Sequence, residues 1–86
     1  MIVMVKHPKH RPFLLDTPDY RKILDGQHFP WGAGIDCYFA SEDGPYNVVS
    51  PNGLVIRGPV VFINNNLTSL TDEQIKVINE NTQVPV

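Results

Sequence analysis

The sequence predicts an α+β fold: a small antiparallel sheet of four to five short strands with two helices, in the order strand, helix, four strands, helix. Three observations predict it. Short runs rich in Val, Ile, Phe and Tyr recur between Pro- and Gly-rich turns. Pro51-Asn52-Gly53 separates two such runs at hairpin spacing. Residues 70–81 carry nearly every local signal that starts a helix. At 86 residues, with 42% hydrophobic and 19% charged side chains, the chain has the composition of one globular domain, 1–86, with one modest core.

Ile2 to Val5 is β-branched and bounded by polar residues, the pattern of a buried strand. Pro8 and Pro12 exclude regular structure from the basic segment between them. "LLDTPDYRKILDG" predicts a short helix, with Thr17 as N-cap, Pro18 at its first position and Tyr20, Ile23 and Leu24 on one apolar face. Gly26 would stop it. "QHFPWGAG" is expected to be a loop. "IDCYFA" alternates, placing Ile35, Cys37 and Phe39 on one face of a strand. "SEDGP" reads as a turn, "YNVVS" and "LVI" as a hairpin around Pro51-Asn52-Gly53, and "VVFIN" as a further strand. In the last segment Thr71 is the N-cap and Gln74 completes a capping box. Leu70 and Ile75 form a hydrophobic staple, and Asp72 and Glu73 complement the helix dipole. Leu67 and Leu70 would fasten the preceding connection to the core, and "TQVPV" is a tail that Pro85 keeps from continuing the helix.

"GPVVFINNNLTSLTDEQIKVINE", following a Pro-Asn turn, resembles a family of small proteins of unknown function common in bacteriophages, plasmids and other mobile elements. The shared features fall at Pro8, the Tyr20–Leu24 segment, Pro51-Asn52, Gly58 and Leu70 to Gln74. Gly53 stands where the family usually has arginine, and Trp31 has no counterpart. The resemblance implies a context, a virus or mobile element acting inside a bacterial cell, and no catalytic residue.

The net charge of −2 is unevenly spread. Up to Ile35 there are five Lys and Arg against three acids, and beyond it two against six. No strongly basic domain of the kind that binds nucleic acid results. No apolar run approaches the ~20 residues of a membrane helix. The opening MIVMV lacks the basic residues before it and the cleavage site after it that mark a signal peptide. With one cysteine, Cys37, a reducing compartment is expected, the host cell cytoplasm.

His7, His10, His28 and Cys37 are the residues with metal-ligand chemistry, and their spacing lacks the two close pairs of a zinc site, so neither metal nor cofactor is expected. No phosphate loop, nucleophile elbow or paired-acid motif occurs, which points away from an enzyme. Two segments stand out as candidate partner- or ligand-binding residues. Lys6, His7, Lys9, His10 and Arg11 form a basic loop suited to an acidic partner or anion, and its imidazoles would add charge under mildly acidic conditions. Phe29 and Trp31 are large aromatics in a Pro/Gly segment, either an anchor for a partner or a cap on the core. The expected role is binding: an accessory protein that inhibits or modulates a host protein, a defence component included, or another viral protein. Two alternatives are sequestration of a nucleotide-like anion between the basic loop and Trp31, which a homo-oligomer interface could help to form, and a virion structural or decoration role.

Overall fold

The computed structural model describes residues 1–40 and 43–82. Its core is a five-stranded antiparallel sheet built from β1 (Ile2–Lys6), β2 (Phe13–Asp16), β3 (Gln27–Gly32), β4 (Ile35–Phe39) and β7 (Val60–Asn64), in the order β2-β1-β7-β4-β3. Strands β5 (Tyr46–Val49) and β6 (Val55–Arg57) form a separate two-stranded antiparallel sheet. One helix, α1 (Asp72–Asn81), follows β7.

The α+β class and the antiparallel pairing are as the sequence predicts, but the elements differ. In place of the first helix are strand β2 and a 3-10 turn over Tyr20–Lys22, capped by Asp19, whose carboxylate accepts the Arg21 N–H at 3.0 Å. The span from Pro18 to Gly26 is too short to repay helix nucleation, whereas Phe13–Asp16 gains a ladder with β1. Thr17 continues that ladder, its N–H donating to the Met1 carbonyl at 2.9 Å. Gly26 is needed for a different reason than helix termination. A Cβ there would lie 2.6 Å from the Phe39 carbonyl carbon, so only glycine lets this segment cross β4 so closely.

The second difference is "QHFPWG", which is strand β3 and not a loop. Pro30 is tolerated because β3 is an edge strand. Ala33 and Gly34 close the β3–β4 hairpin with φ of 55° and 71°, the two positive values that a type I′ turn requires. The expected turn over Ser41 to Pro45 lies partly outside the described residues, as does the tail from residue 83.

The three inner strands of the sheet, β1, β7 and β4, are buried on both faces. Against one face, carrying Met4, Ile35, Cys37, Phe39 and Phe62, pack α1 through Ile78 and the β5–β6 hairpin through Val48 and Ile56. Against the other, carrying Val3, Val5, Tyr38, Val61 and Ile63, pack Tyr20, Ile23 and Leu24. The predicted apolar face of the missing helix therefore does its work from a 3-10 turn. Every residue of β7, the central strand, is buried.

Helix α1 begins as read from sequence. Gln74 N–H donates to Thr71 Oγ1 at 3.2 Å and Thr71 N–H to Gln74 Oε1 at 3.0 Å. The same glutamine reaches further. Its Nε2 donates to the Gly34 carbonyl at 3.1 Å, and its Oε1 accepts from Asn64 Nδ2 at 3.1 Å. One capping residue thus ties the helix start to the β3–β4 turn and to the end of β7. Leu70 is buried beside the half-buried Ile75, but Leu67 is exposed. A left-handed φ of 60° at Leu67 closes the turn onto the Asn64 carbonyl, and that turn leaves its side chain outside the core.

Candidate binding surface

The pleat decides how the basic segment is divided. Lys6 ends β1 on the same parity as Met4, so its side chain turns toward the covered face and is only 3% exposed. Its ammonium donates to Asn47 Oδ1 at 2.5 Å and to the His7 carbonyl at 3.4 Å. Asn47 in turn donates to the Lys6 carbonyl at 2.9 Å and the Gly58 carbonyl at 2.7 Å. Lys6, one of the sequence-predicted site residues, is therefore a buried fastening between β1 and the β5–β6 hairpin, not part of a surface.

Burial holds the Lys6 ammonium below the ordinary lysine value of 10.5. The sign of the pH dependence follows. Just beneath that value the native state binds less proton at Lys6 than the unfolded chain, so stability rises with pH through that window. Wild-type stability, compared with Lys6→Met by urea denaturation at stepped pH, should shift in favour of the wild type as pH approaches 10.5. A difference that stays flat would show the ammonium to be solvated.

His7, Lys9, His10 and Arg11 remain outside. The His10 N–H closes a turn onto the His7 carbonyl at 3.2 Å, with Lys9 at a φ of 65°. The His7 ring stacks on Phe13, with centroids 6.1 Å apart and 19° between planes. Phe13 itself is 46% exposed. These side chains, with Pro8 and with Pro45 contributed from across the fold, line one shallow open groove. Pro45 is held there because its carbonyl accepts the Gly58 N–H at 2.9 Å, and Asn47, two residues on, is bonded to β1.

The aromatic pair is also divided. Trp31 is 2% exposed and sets its ring edge-on to Phe62, centroids 4.8 Å apart. It caps the core. The registers Gly32↔Ile35, Ile35↔Asn64 and Lys6↔Val60 place it at the opposite end of the sheet from the basic loop. A ligand held by the loop would not stack on this ring, so the arrangement expected for a nucleotide-like anion does not form. Phe29 is half-buried against Phe39, centroids 4.9 Å apart. With Gly26, Leu54, Val55 and Arg57 it lines a second groove, separate from the first. Cys37 is buried, donates to the Phe29 carbonyl at 3.3 Å, and is pushed by burial up to about 11, which leaves it a poor nucleophile at neutral pH.

Sequence reasoning missed a third cluster. Tyr20 Oη lies 2.6 Å from His28 Nε2, whose other ring nitrogen is 3.9 Å from the Asp36 carboxylate. Tyr38 packs edge-on to both rings, and its hydroxyl accepts the Gly26 N–H at 3.0 Å. The series carboxylate–imidazole–phenol has the residue types of a proton relay. The Tyr20 side chain is buried, however, so its phenol is not presented to a substrate. The cluster fastens β3 and the 3-10 turn to β4. His28 was visible in sequence as a potential ligand, but its partners come from the 3-10 turn and β4, and no spacing rule connects them. Among the described residues no group of three or more His, Cys, Asp or Glu is placed to hold a metal ion, and no helix is long and apolar enough to cross a membrane.

Sequence reasoning also missed Phe13, to which it gave no element, and Leu14, which it placed in the stretch leading into a helix. Their signal was a short apolar run, "FLL", between Pro12 and Thr17-Pro18, a pattern equally suited to a strand. Comparison of the chain with known families, with characterised proteins and with solved structures found no match.

Proposed function

We propose that this is a non-enzymatic accessory protein of a bacteriophage or mobile element, acting by binding a host or viral protein as an inhibitor or modulator, with the groove at the basic loop as its docking surface. One observation carries the reading: the exposed cations of residues 7–11 share a groove with the exposed ring of Phe13. An aromatic anchor beside charges that orient a partner is the anatomy of a protein-binding patch. The sequence resemblance supplies the mobile-element context.

The test is affinity capture from bacterial lysate by the wild type and by Lys9→Glu/Arg11→Glu, both checked for an intact fold by circular dichroism. The expected result is a specific partner kept by the wild type and lost by the variant. Equal capture by both, or no specific capture by the wild type, overturns the proposal.

A further inference from the structure

The five-stranded sheet has two edges, and they are built differently. The alternation of hydrogen-bonded pairs shows which backbone groups each edge presents. Asn65 N–H donates to the Gly34 carbonyl. Counting along the β4–β7 register from that bond turns Ile35, Cys37 and Phe39 toward β3. Their partners Gln27 and Phe29 therefore bond to β4, while His28 and Pro30 direct their main-chain groups to the free edge. Pro30 has no N–H to offer there, and the register shifts between Pro30 and Gly32. Both features blunt an edge against another strand.

The β2 edge has neither guard. The bond from Thr17 N–H to the Met1 carbonyl fixes its alternation. Phe13 and Leu15 then bond to β1, and Leu14 and Asp16 direct N–H and C=O outward. Both strand faces carry apolar side chains at this edge: Phe13, 46% exposed, on one and Leu14, 53% exposed, on the other. The loop at the head of the edge carries Lys9 and Arg11, exposed, with His7 and His10 beside them.

From this arrangement we infer that the β2 edge is a strand-addition site, taking an extended acidic segment of a partner protein as a sixth strand. The proposal rests on the binding reading above and specifies its chemistry. Leu14 and Asp16 supply the main-chain ladder, which fixes the peptide's direction and register. Phe13 and Leu14 give apolar contacts to alternate side chains on the two faces. Lys9 and Arg11 select carboxylates at the end of the peptide nearest the loop. The site is short, so it suits a linear segment better than a second rigid sheet.

The experiment uses a synthetic peptide of about ten residues alternating valine and glutamate, long enough to cover the edge, and its valine–lysine counterpart. Amide hydrogen exchange is followed by NMR on the whole protein. The expected result is that the glutamate peptide alone binds, and that it slows exchange at Leu14 and Asp16, the two outward amides, while Phe13 and Leu15 change little. Leu14→Pro, which deletes one outward N–H, should weaken binding by about tenfold or more, the scale of a lost hydrogen bond with its neighbours displaced. Should Leu14→Pro fail to fold, the exchange pattern of the wild type decides alone. Binding without protection at those two amides, or equal binding of the lysine peptide, overturns the proposal. So does sedimentation showing that the free protein already pairs this edge with a second copy. Lysate capture separates the two readings. A partner lost by Lys9→Glu/Arg11→Glu but kept by Leu14→Pro leaves the groove as a docking surface and removes strand addition, and a partner kept by both variants removes both.

Discussion

Replacing Asn47 with alanine should cost about 3 kcal/mol of folding stability, since two or more buried polar groups lose their partners at once. The side chain is buried and makes three hydrogen bonds, donating to the carbonyls of Lys6 and Gly58 and accepting from the Lys6 ammonium. Alanine offers none of these and leaves the ammonium with the His7 carbonyl at 3.4 Å. A charge that keeps its burial and loses a partner is among the more damaging single changes. For a domain whose whole stability is of order 5–15 kcal/mol, the change is large. Urea denaturation measures it. Hydrogen exchange should show β5 and β6 opening before the five-stranded sheet, because Asn47 is a polar tie between the two sheets. In a double-mutant cycle Lys6→Met/Asn47→Leu should cost less than the sum of its single changes, because Lys6→Met removes the charge that Asn47→Leu strands. A loss below about 1 kcal/mol, the value of one ordinary hydrogen bond, would mean that Val48 and Ile56 hold the hairpin unaided.

Trp31→Ala should be at least as damaging, about 3–5 kcal/mol, the usual range for deleting a large buried aromatic. The indole lies at the bulge between Pro30 and Gly32 and meets Phe62 edge-on, in the core cluster that Ile78 of α1 completes. Its N–H has no acceptor among the described residues, so the ring contributes by packing, and Trp31→Phe should cost far less, within about 1.5 kcal/mol, as expected of a hydrophobic replacement of similar shape. Chemical denaturation followed by circular dichroism compares the two. Tryptophan fluorescence supplies an independent check: the native emission should be blue-shifted relative to the unfolded chain, and it should not change when a ligand occupies the basic loop. Native emission at the unfolded wavelength would place Trp31 at the surface and restore it as a binding residue.

The candidate surface was half legible. The basic loop could be named from composition, and His7, Lys9, His10 and Arg11 are where a surface requires them. Lys6 and Trp31 could not be separated from it by sequence. In β1, buried along nearly its whole length, the apolar alternation that tells inside from outside is lost, whereas Trp31 is the one fully buried residue of β3, an edge strand with no alternating pattern to mark it. What draws Lys6 inward is Asn47, 41 positions away. Leu14 was hidden by the helix reading of the stretch that runs on to Gly26, in which proline, acid and apolar spacing all agreed, and Phe13 was left without an element. The ladder with β1 outweighed those local preferences.

By itself the sequence determined the features whose causes lie within a few residues: the capped start of α1, the hairpin at Pro51-Asn52-Gly53 with its turn N–H from Gly53 to the Ser50 carbonyl, and the antiparallel α+β class. Tertiary structure decided the rest. It placed the first strand against the last, made "FLLD" an edge strand, left only a 3-10 turn where the first helix was expected, made "QHFPWG" a guarded edge and not a loop, and left β2 open. Each of these choices depends on which distant strand supplies the hydrogen bonds and the apolar cover, and a free energy shared between residues far apart in sequence leaves no local mark in either partner.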